Sequence, residues 1–379
     1  MLAPMDRIGS ILSAPTKGRV LVVGLDRFGV AAALALRRLG AEVIATDYSK
    51  SVEDADKLEE AGVEILLGGD RTELVKRAKL IVLCPKIQLR PLAEPIPMEA
   101  MRRGVPMLGE LELAHRLLGN GISTPIMAVT GTTGKAVTAT LLAHILKQAG
   151  QKVFLGGSQE CPLSYLYLTG DRVDWIVLEV SSFQLEHLSR PEAFIPRVGI
   201  WLNLQDQHLD RHVTMRNYGR TKRRLFEGMT AEQTGVFWLD DSNVNQQHED
   251  LECTISGVSR NPARVPLVGS LLIRREVTPN GWETPFTLEN DSLAGDQNAE
   301  YAACAQSAAL TIGLEAETIQ AGLDSYPGYF TQDDPDSNSA EPLAAEPQAD
   351  IEPEAAAEPA DLFEDEEETE IDDLEWEDS

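Results

Sequence analysis

The residues best suited to phosphate chemistry form one glycine-rich segment, Thr130-Gly131-Thr132-Thr133-Gly134-Lys135. The segment follows an apolar run and precedes a helix-like stretch. Small residues let backbone N–H groups converge on phosphate oxygens, and the dipole of the following helix adds positive potential. We therefore predict that Gly131, Thr132, Thr133 and Gly134 bind phosphate and that Lys135 reaches the β- and γ-phosphates of a nucleotide. A purely structural glycine turn is the alternative.

The residue after Lys135 departs from a complete phosphate-binding loop. Such a loop places Ser or Thr there, because the hydroxyl group ligates Mg²⁺. Ala136 and Val137 offer no hydroxyl, and Val129 stands where the first glycine of the motif belongs. We expect nucleotide binding through the backbone and Lys135, with the metal held poorly.

A second glycine turn, Gly24-Leu25-Asp26-Arg27-Phe28-Gly29, also follows a strand-like run and opens a helix. This context is typical of a dinucleotide-binding fingerprint. Asp26 replaces the middle glycine, and its carboxylate would repel a nearby phosphate, so NAD binding is disfavoured. Asp47 follows the next strand and is predicted to accept hydrogen bonds from a ribose or uracil. A turn-forming or helix-capping aspartate is an equal alternative.

Alternating strand and helix signals surround both segments. The first half has strand-like runs at 19–23, 42–46 and 80–83 and a helix at 30–39. After the boundary stretch 119–125 the alternation resumes, with strands at 126–130, 175–179 and 198–202 and helices at 136–149 and 298–312. This order predicts an α/β fold with parallel sheets covered by helices. We expect an N-terminal extension (1–15), a Rossmann-like domain (16–118) and a P-loop-type central domain (124–328), with short strands and a hairpin at Asn280-Gly281 inside 262–290.

Negative charge is concentrated at one end of the chain. Residues 331–379 contain 21 Asp and Glu but no Lys or Arg, which leaves 40 acidic and 33 basic residues in positions 1–330. The acidic segment has too few apolar residues to offset chain entropy, so we predict a disordered acidic tail. It is either a solvated solubility tail or a short partner-binding motif around Leu362-Phe363 and Leu374–Trp376.

Composition also excludes several classes of protein. The four cysteines are scattered without a paired spacing, which argues against a zinc site or a disulfide framework. The N-terminus is too polar for a secretory signal, and no apolar run approaches the ~20 residues of a membrane helix. We expect a cytoplasmic protein without a membrane span or a nucleic-acid partner.

Several longer motifs resemble the Mur ligase family, and most closely its D-glutamate-adding branch. The segment 177–186 (VLEVSSFQLE) resembles that branch's ELSSFQLE motif, and 203–212 (NLQDQHLDRH) resembles its N-V-T-x-D-H-L-D-R-H segment. The segments 218–222 (YGRTK) and 293–303 (LAGDQNAEYAA) resemble Y-x-x-x-K and L-x-G-x-H-N-x-x-N-x-x. With 109–113 (GELEL) and the phosphate loop, the resemblance covers roughly residues 16–328.

The resemblance implies ATP-dependent amide formation between a UDP-sugar acid and an amino acid, through an acyl phosphate and with Mg²⁺. By position it implies metal ligands at Glu179 and His208, a carbamylated lysine at Lys222 and a γ-phosphate contact at Lys135. It further implies an adenine contact at Asn298 and a UDP-substrate contact near Asp47 and Gly24.

Each of these roles has a plainer alternative. Glu179 by itself is a strand-end carboxylate. Lys222 lies in a basic stretch, where a surface lysine is the alternative, and the alternative for His208 is a core histidine.

The departures from the family pattern lie at positions that the family uses for catalysis or ligand binding. Ala136 lacks the Mg²⁺ hydroxyl, and Gln207 replaces an aspartate before the histidine. Asp296 and Gln297 stand where the family has a polar or basic residue and then a histidine. The segments 156–161 and 84–87 replace the family's G-G-N-I-G loop and S-P-G-I turn. The acidic tail stands where the family's third domain would follow, so efficient ligation is not expected.

Three functions remain open. The first is a non-catalytic homologue that acts as a scaffold or regulator, contacting other cell-wall or division proteins through the acidic tail. The second is an active D-glutamate-adding ligase with unusual ligands, or one completed by a partner chain. The third is a binding module that keeps a nucleotide or UDP-sugar ligand.

Overall fold

The computed structural model describes residues 18–329 and positions 8, 11 and 12, except residues 70, 90–93, 120–123, 159 and 261–285. The predicted acidic tail (331–379) and the predicted hairpin at Asn280-Gly281 lie outside the described residues. Of the predicted N-terminal extension, Ile8 and Leu12 are described, and both are buried in the core of the first sheet.

The first sheet has five parallel strands in the order β3-β2-β1-β4-β5. The strands are β1 (Arg19–Val23), β2 (Glu42–Asp47), β3 (Glu64–Leu67), β4 (Ala78–Leu83) and β5 (Met107–Gly109). The helices are α1 (Arg27–Arg38), α2 (Ala55–Glu60), α3 (Pro95–Arg103) and α4 (Glu110–Gly119), with a 3₁₀ helix at Thr72–Arg77. β1 and β4 bury nearly every residue, as expected of parallel strands covered on both faces.

The second sheet has six parallel strands in the order β11-β10-β9-β6-β8-β7. The strands are β6 (Ile126–Thr130), β7 (Val153–Gly156), β8 (Trp175–Glu179), β9 (Val198–Trp201), β10 (Thr234–Trp238) and β11 (Thr254–Val258). The helices are α5 (Lys135–Gln148), α6 (Ser164–Thr169), α7 (Ser182–Glu186), α8 (Leu209–His212), α9 (Met215–Arg223), α10 (Ser242–Asn245), α11 (Asp296–Thr311) and α12 (Ala316–Asp324). Short 3₁₀ helices lie at Pro191–Ala193 and Asp291–Leu293.

The predicted α/β fold with parallel sheets is confirmed, with differences at element boundaries. Helix α1 begins at Arg27, three residues before its predicted start, because the Asp26 carboxylate accepts hydrogen bonds from the N–H groups of Phe28 (3.1 Å) and Gly29 (3.3 Å). Strands β3, β5, β7, β10 and β11 are not among those predicted from the sequence, and each has five residues or fewer.

The central strand of the second sheet, β6, positions the candidate site. It lies between β9 and β8, with Val129 in register with Glu179 and Thr130 in register with Trp201. Because the strands are parallel, their carboxyl ends meet at one edge, where ligands of open α/β sheets bind. The segments that follow β6, β8 and β9 therefore converge there.

Apolar side chains pack on both faces of the second sheet and hold this edge in position. Helices α5 and α11 bury alanine and leucine side chains on one face. On the other face, the Trp201 ring stacks on Phe226 with the ring centroids 5.8 Å apart, and Phe237 packs beside them. In the part of the chain that the structure describes, no helix combines the length and apolar character needed to cross a membrane.

Candidate functional site

Asn203, which follows β9, organises the phosphate loop. Its Oδ1 accepts hydrogen bonds from the N–H groups of Thr132 and Thr133, each at 2.9 Å. Its Nδ2 donates to the Thr133 carbonyl at 3.2 Å. Two amides predicted to face phosphate are therefore paired with a side chain of this chain. The phosphate-facing N–H groups that remain are those at the start of α5.

The start of α5 has the features of an anion site. Gly134 precedes the helix with a φ of 82°, a left-handed conformation that favours glycine, and no side chain caps the helix there. The first N–H groups of a helix lack partners within it, and the helix dipole makes this end positive. Ala136 lies in this first turn. The next hydroxyls, those of Thr138 and Thr140, donate to the carbonyls of Gly134 and Ala136 at 2.9 and 2.8 Å.

Lys135 lies folded against the loop. Its Nζ donates to the carbonyl oxygens of Gly131 and Thr132, both at 3.1 Å. Burial lowers the pKa of this lysine, and the nearby Glu179 opposes that effect. To contact a phosphate, Lys135 would exchange these carbonyls for phosphate oxygens.

Lys222 is buried beneath the same loop. Its Nζ donates to the Gly131 carbonyl at 2.7 Å and lies 4.8 Å from the centre of the Tyr218 ring. Burial lowers its pKa well below the ordinary lysine value, and the neighbouring charge of Lys135 adds to the shift. The side chain is among the largest fully buried ones, so the surface-lysine alternative is wrong.

Glu179 ends β8 and faces the loop. Burial raises its pKa to about 7, against the opposing effect of Lys135 and with a smaller contribution from Glu160. His208 precedes α8 and is exposed, which excludes the core-histidine alternative. Partial desolvation of the ring lowers the pKa of His208, and the charges of Lys222 and Lys135 lower it further. The structure thus brings four predicted residues together: Lys135, Glu179, His208 and Lys222.

The donor groups present fit a bound Mg²⁺ poorly. Mg²⁺ prefers six oxygen ligands at near-octahedral positions. The predicted ligands Glu179 and His208 supply one carboxylate and one imidazole, while Ala136 supplies no oxygen and Gln207 is exposed. Among the described residues, no group of three or more His, Cys, Asp or Glu side chains is arranged to hold a metal ion.

Helix α11 approaches the loop from the other side. The Tyr301 hydroxyl lies 3.0 Å from the Thr133 Oγ1, and a side chain at Gly134 would overlap the Tyr301 ring. Asn298 is one turn earlier and donates to the Ala294 carbonyl at 3.0 Å. Asp296, expected to oppose phosphate, lies 3.6 Å from the Arg260 guanidinium, which partly offsets its charge.

At the edge of the first sheet where a UDP-substrate contact is predicted, the Asp47 carboxylate is hydrogen-bonded to backbone groups of this chain. Asp47 accepts hydrogen bonds from the N–H groups of Leu25 (2.7 Å) and Ser49 (2.8 Å), the behaviour of a turn aspartate. Gly24 has a φ of 87°, and a side chain there would collide with Cys84. Asp26 caps α1, which places a carboxylate where a pyrophosphate would bind and agrees with the disfavoured NAD site.

Comparisons with known proteins agree with this architecture. The profile of the Mur ligase middle domain matches residues 129–312. The UDP-N-acetylmuramoylalanine–D-glutamate ligase of Caldanaerobacter subterraneus is 34% identical over 82% of this chain and 67% of its own length. The enzyme of the same name from Anaeromyxobacter dehalogenans is 37% identical over 82% of this chain and 67% of its own length. The chain belongs to the Mur ligase family.

Solved Mur ligases share the fold. The UDP-N-acetylmuramate:L-alanyl-γ-D-glutamyl-meso-diaminopimelate ligase from Neisseria meningitides superposes with a TM-score of 0.55 at 17% identity, covering 83% of this chain and 99% of that one. A murein peptide ligase from Psychrobacter arcticus gives a TM-score of 0.50 at 18% identity, covering 82% and 68%. At this identity the likeness concerns the fold alone.

Two residues of this Mur ligase site carry no predicted role. Asn203 lies in a segment recognised by resemblance, and its position directly after a buried strand is the signal that points to the loop. Tyr301 lies in the 293–303 segment, where the family pattern has asparagine. Its hydroxyl contact with Thr133 spans a large separation in sequence and has no local signal.

Proposed function

We propose that this chain is a Mur ligase homologue that binds a nucleotide at the phosphate loop and forms amide bonds poorly or not at all. Mur ligases are ATP-dependent and typically use Mg²⁺. The observation that carries the proposal is the first turn of α5. Ala136 offers a methyl group there, and the hydroxyls of Thr138 and Thr140 are bonded to carbonyls of their own helix.

A nucleotide site that holds its metal poorly should catalyse phosphoryl transfer slowly. Mg²⁺ neutralises phosphate oxygens during phosphoryl transfer, and removal of one charge-stabilising group typically lowers the rate by ~10²–10³. Gln207 adds a second loss, since an amide replaces a charged carboxylate. The backbone N–H groups at the start of α5 and Lys135 still support phosphate binding.

The metal dependence of nucleotide affinity tests the proposal directly. We expect wild type to bind ADP with similar affinity in Mg²⁺ and in EDTA. Ala136→Thr should bind about tenfold more tightly in Mg²⁺ than in EDTA, because a hydroxyl ligand is restored. Ala149→Thr, at the far end of the same helix, is the matched control. Strong Mg²⁺ dependence in wild type would contradict the proposal.

Product formation provides the second test. We expect no amide product when wild type is incubated with ATP, Mg²⁺, D-glutamate and UDP-N-acetylmuramoyl-L-alanine. Turnover at the rate of an ordinary ligase would overturn the proposal.

An active ligase is the second candidate, and Lys222 is the observation that favours it. Burial lowers the pKa of Lys222 and so favours the neutral amine, the form that reacts with carbon dioxide. Carbamylation would supply oxygen ligands beside the loop and compensate for the lost hydroxyl. If the amide product forms only in bicarbonate buffer and is lost in Lys222→Met, this candidate is supported.

We further propose that a non-catalytic homologue acts in the cytoplasm on other cell-wall or division proteins through residues 331–379. Support comes from the sequence, where apolar residues around Leu374–Trp376 stand among acidic ones. Partner capture from cell extract should be lost when Leu374 and Trp376 are both changed to Ser. Equal capture by the variant would exclude this motif.

A further inference from the structure

We infer that Arg211 fixes the turn after β4 in the first sheet against the segment that carries His208 in the central domain. Arg211 thereby holds the two halves of the candidate ligand site at one spacing. The contact itself is independent of the proposed function, while its consequence for ligands rests on that function.

The Arg211 guanidinium bridges the two sheets through a dense set of hydrogen bonds. It donates to three consecutive carbonyls of the turn, those of Pro85 (2.7 Å), Lys86 (3.2 Å) and Ile87 (2.8 Å). Its Nε donates to Glu186 Oε2 at 2.6 Å. The side chain is 3% exposed, so these partners replace water almost completely.

The turn that Arg211 contacts belongs to the edge of the first sheet where the UDP-substrate contact is predicted. The Cys84 N–H donates to the Val23 carbonyl at 2.9 Å, and the Ile87 N–H donates to the Cys84 carbonyl at 3.0 Å. The Lys86 amine lies 3.9 Å from the Asp26 carboxylate. The turn is therefore continuous with β1, β4 and the glycine turn at Gly24.

On the central side, one aromatic ring joins Arg211 to His208. The guanidinium lies 4.1 Å from the centre of the Phe183 ring, and the His208 ring centroid lies 5.0 Å from that ring. Helix α8 has only four residues, with positive φ values at His208 (56°) and Val213 (69°) on either side. So short a helix has few internal hydrogen bonds, and its position depends on side-chain contacts such as these.

Arginine is the side chain that this contact requires. Its planar guanidinium carries five N–H donors in a fixed arrangement, which lets one group reach three carbonyls and a carboxylate. Lysine would keep the charge but could not span the same partners. His187 adds one contact, with its Nε2 2.8 Å from the Ile87 carbonyl oxygen, and does not replace the set.

Thiol labelling of the intact protein measures the contact without any ligand. Cys84 begins the turn and is buried, and Cys304 is buried in α11 within the other core. In Arg211→Gln and Arg211→Lys, we expect local opening to raise alkylation of Cys84 by about tenfold, with Cys304 unchanged. Arg216→Gln, at an exposed position on α9, is the matched control and should label as wild type does.

Two labelling outcomes would overturn the inference. One is an unchanged Cys84 rate in both Arg211 variants. The other is a parallel rise at Cys84 and Cys304, since that indicates general destabilisation and not the release of one turn.

Linkage between ligands tests the positioning role. We expect UDP-N-acetylmuramoyl-L-alanine to change the affinity of wild type for ADP by at least about threefold, and this coupling to vanish in Arg211→Lys. A merely structural role would weaken each ligand alone and leave the coupling factor intact. Independent binding in wild type would refute the positioning role. If neither ligand binds wild type, the proposed function fails and the Cys84 result alone decides whether Arg211 holds the turn.

Discussion

The amino nitrogen of Lys222 lies 2.7 Å from the carbonyl oxygen of Gly131, at the base of the phosphate loop. The lysine belongs to α9 and the glycine follows β6, so the contact ties a distant helix to the loop. The neighbouring Lys135 bonds the same carbonyl oxygen at 3.1 Å. Two amines therefore converge on one acceptor. Lys222 is the more deeply buried of the two, so desolvation of its charged form is the more costly.

Replacement of Lys222 by Met should change how stability depends on pH. The pKa of Lys222 is lowered in the folded protein, so between that value and the unfolded value of about 10.4 the unfolded chain binds more protons. Stability of wild type therefore rises with pH through this window. Lys222→Met removes this pH dependence. The free energy of unfolding of the variant minus that of wild type should therefore be largest near pH 7 and decrease toward pH 10.

Denaturant unfolding at several pH values measures this difference. Lys147→Met, at an exposed position on α5, provides the control and should parallel wild type at every pH. A difference between Lys222→Met and wild type that stays constant from pH 7 to pH 10 would show that the buried amine is not destabilised by its surroundings.

Asn203 should prove necessary for the shape of the phosphate loop. Asn203→Ala removes the side-chain acceptor that the N–H groups of Thr132 and Thr133 share. The Thr132 N–H keeps its 3.2 Å bond to the backbone carbonyl of residue 203, whereas the Thr133 N–H loses its acceptor, and an unsatisfied buried group costs about 1–3 kcal/mol. We expect a lower melting temperature and roughly tenfold weaker ADP binding. Asn203→Asp keeps the acceptor and should lose less, while the exposed Asn217→Ala should match wild type. Full ADP affinity in Asn203→Ala would rule out this role.

The sequence predicts the local parts of the site better than their assembly. The order of small residues before Lys135 indicates a phosphate loop, because that chemistry depends on adjacent backbone groups. The contact of Asn203 with Thr132 joins residues 71 apart, and that of Lys222 with Gly131 joins residues 91 apart. No periodicity encodes such pairs, so only the family resemblance places Lys222 near the loop.

Burial is the property that the sequence predicts least well. A stretch with Arg220, Lys222, Arg223 and Arg224 is typical of a solvated helix face, yet Lys222 is fully buried and Arg223 and Arg224 are half-buried. His208 shows the reverse, since a core histidine is one alternative from the sequence and the residue is exposed in the structure. In both cases the packing of α9 against α7 and α8 decides exposure, and this packing is set by the whole fold.

Glu179 should make nucleotide affinity depend on pH. Its pKa is raised to about 7 by burial, so the carboxyl is mostly neutral at pH 6 and mostly charged at pH 8. The charged form repels phosphate, and we expect the affinity for metal-free ADP to fall by about threefold to tenfold over this range. Glu179→Gln should show a smaller fall, because its side chain carries no charge at either pH. Titration calorimetry at three pH values measures this, and Glu232→Gln, at an exposed position, should retain the wild-type slope.

Val213 should be a site where glycine stabilises the protein. Its φ of 69° and ψ of −44°, with a 2.8 Å hydrogen bond from the Thr214 N–H to the His212 carbonyl, form a γ-turn of the strained, positive-φ kind. A β-branched residue is unfavourable there, and Val213 is 58% exposed, so its side chain contributes little packing.

Val213→Gly should raise the free energy of unfolding by about 1 kcal/mol. This figure reflects relief of ~1–3 kcal/mol of backbone strain, reduced by the ~0.5–1 kcal/mol entropic cost of glycine. Val213→Ala keeps the Cβ atom and should leave stability within about 0.5 kcal/mol of wild type. Thermal and urea unfolding distinguish the two variants. If Val213→Gly is no more stable than wild type, the turn is held without backbone strain.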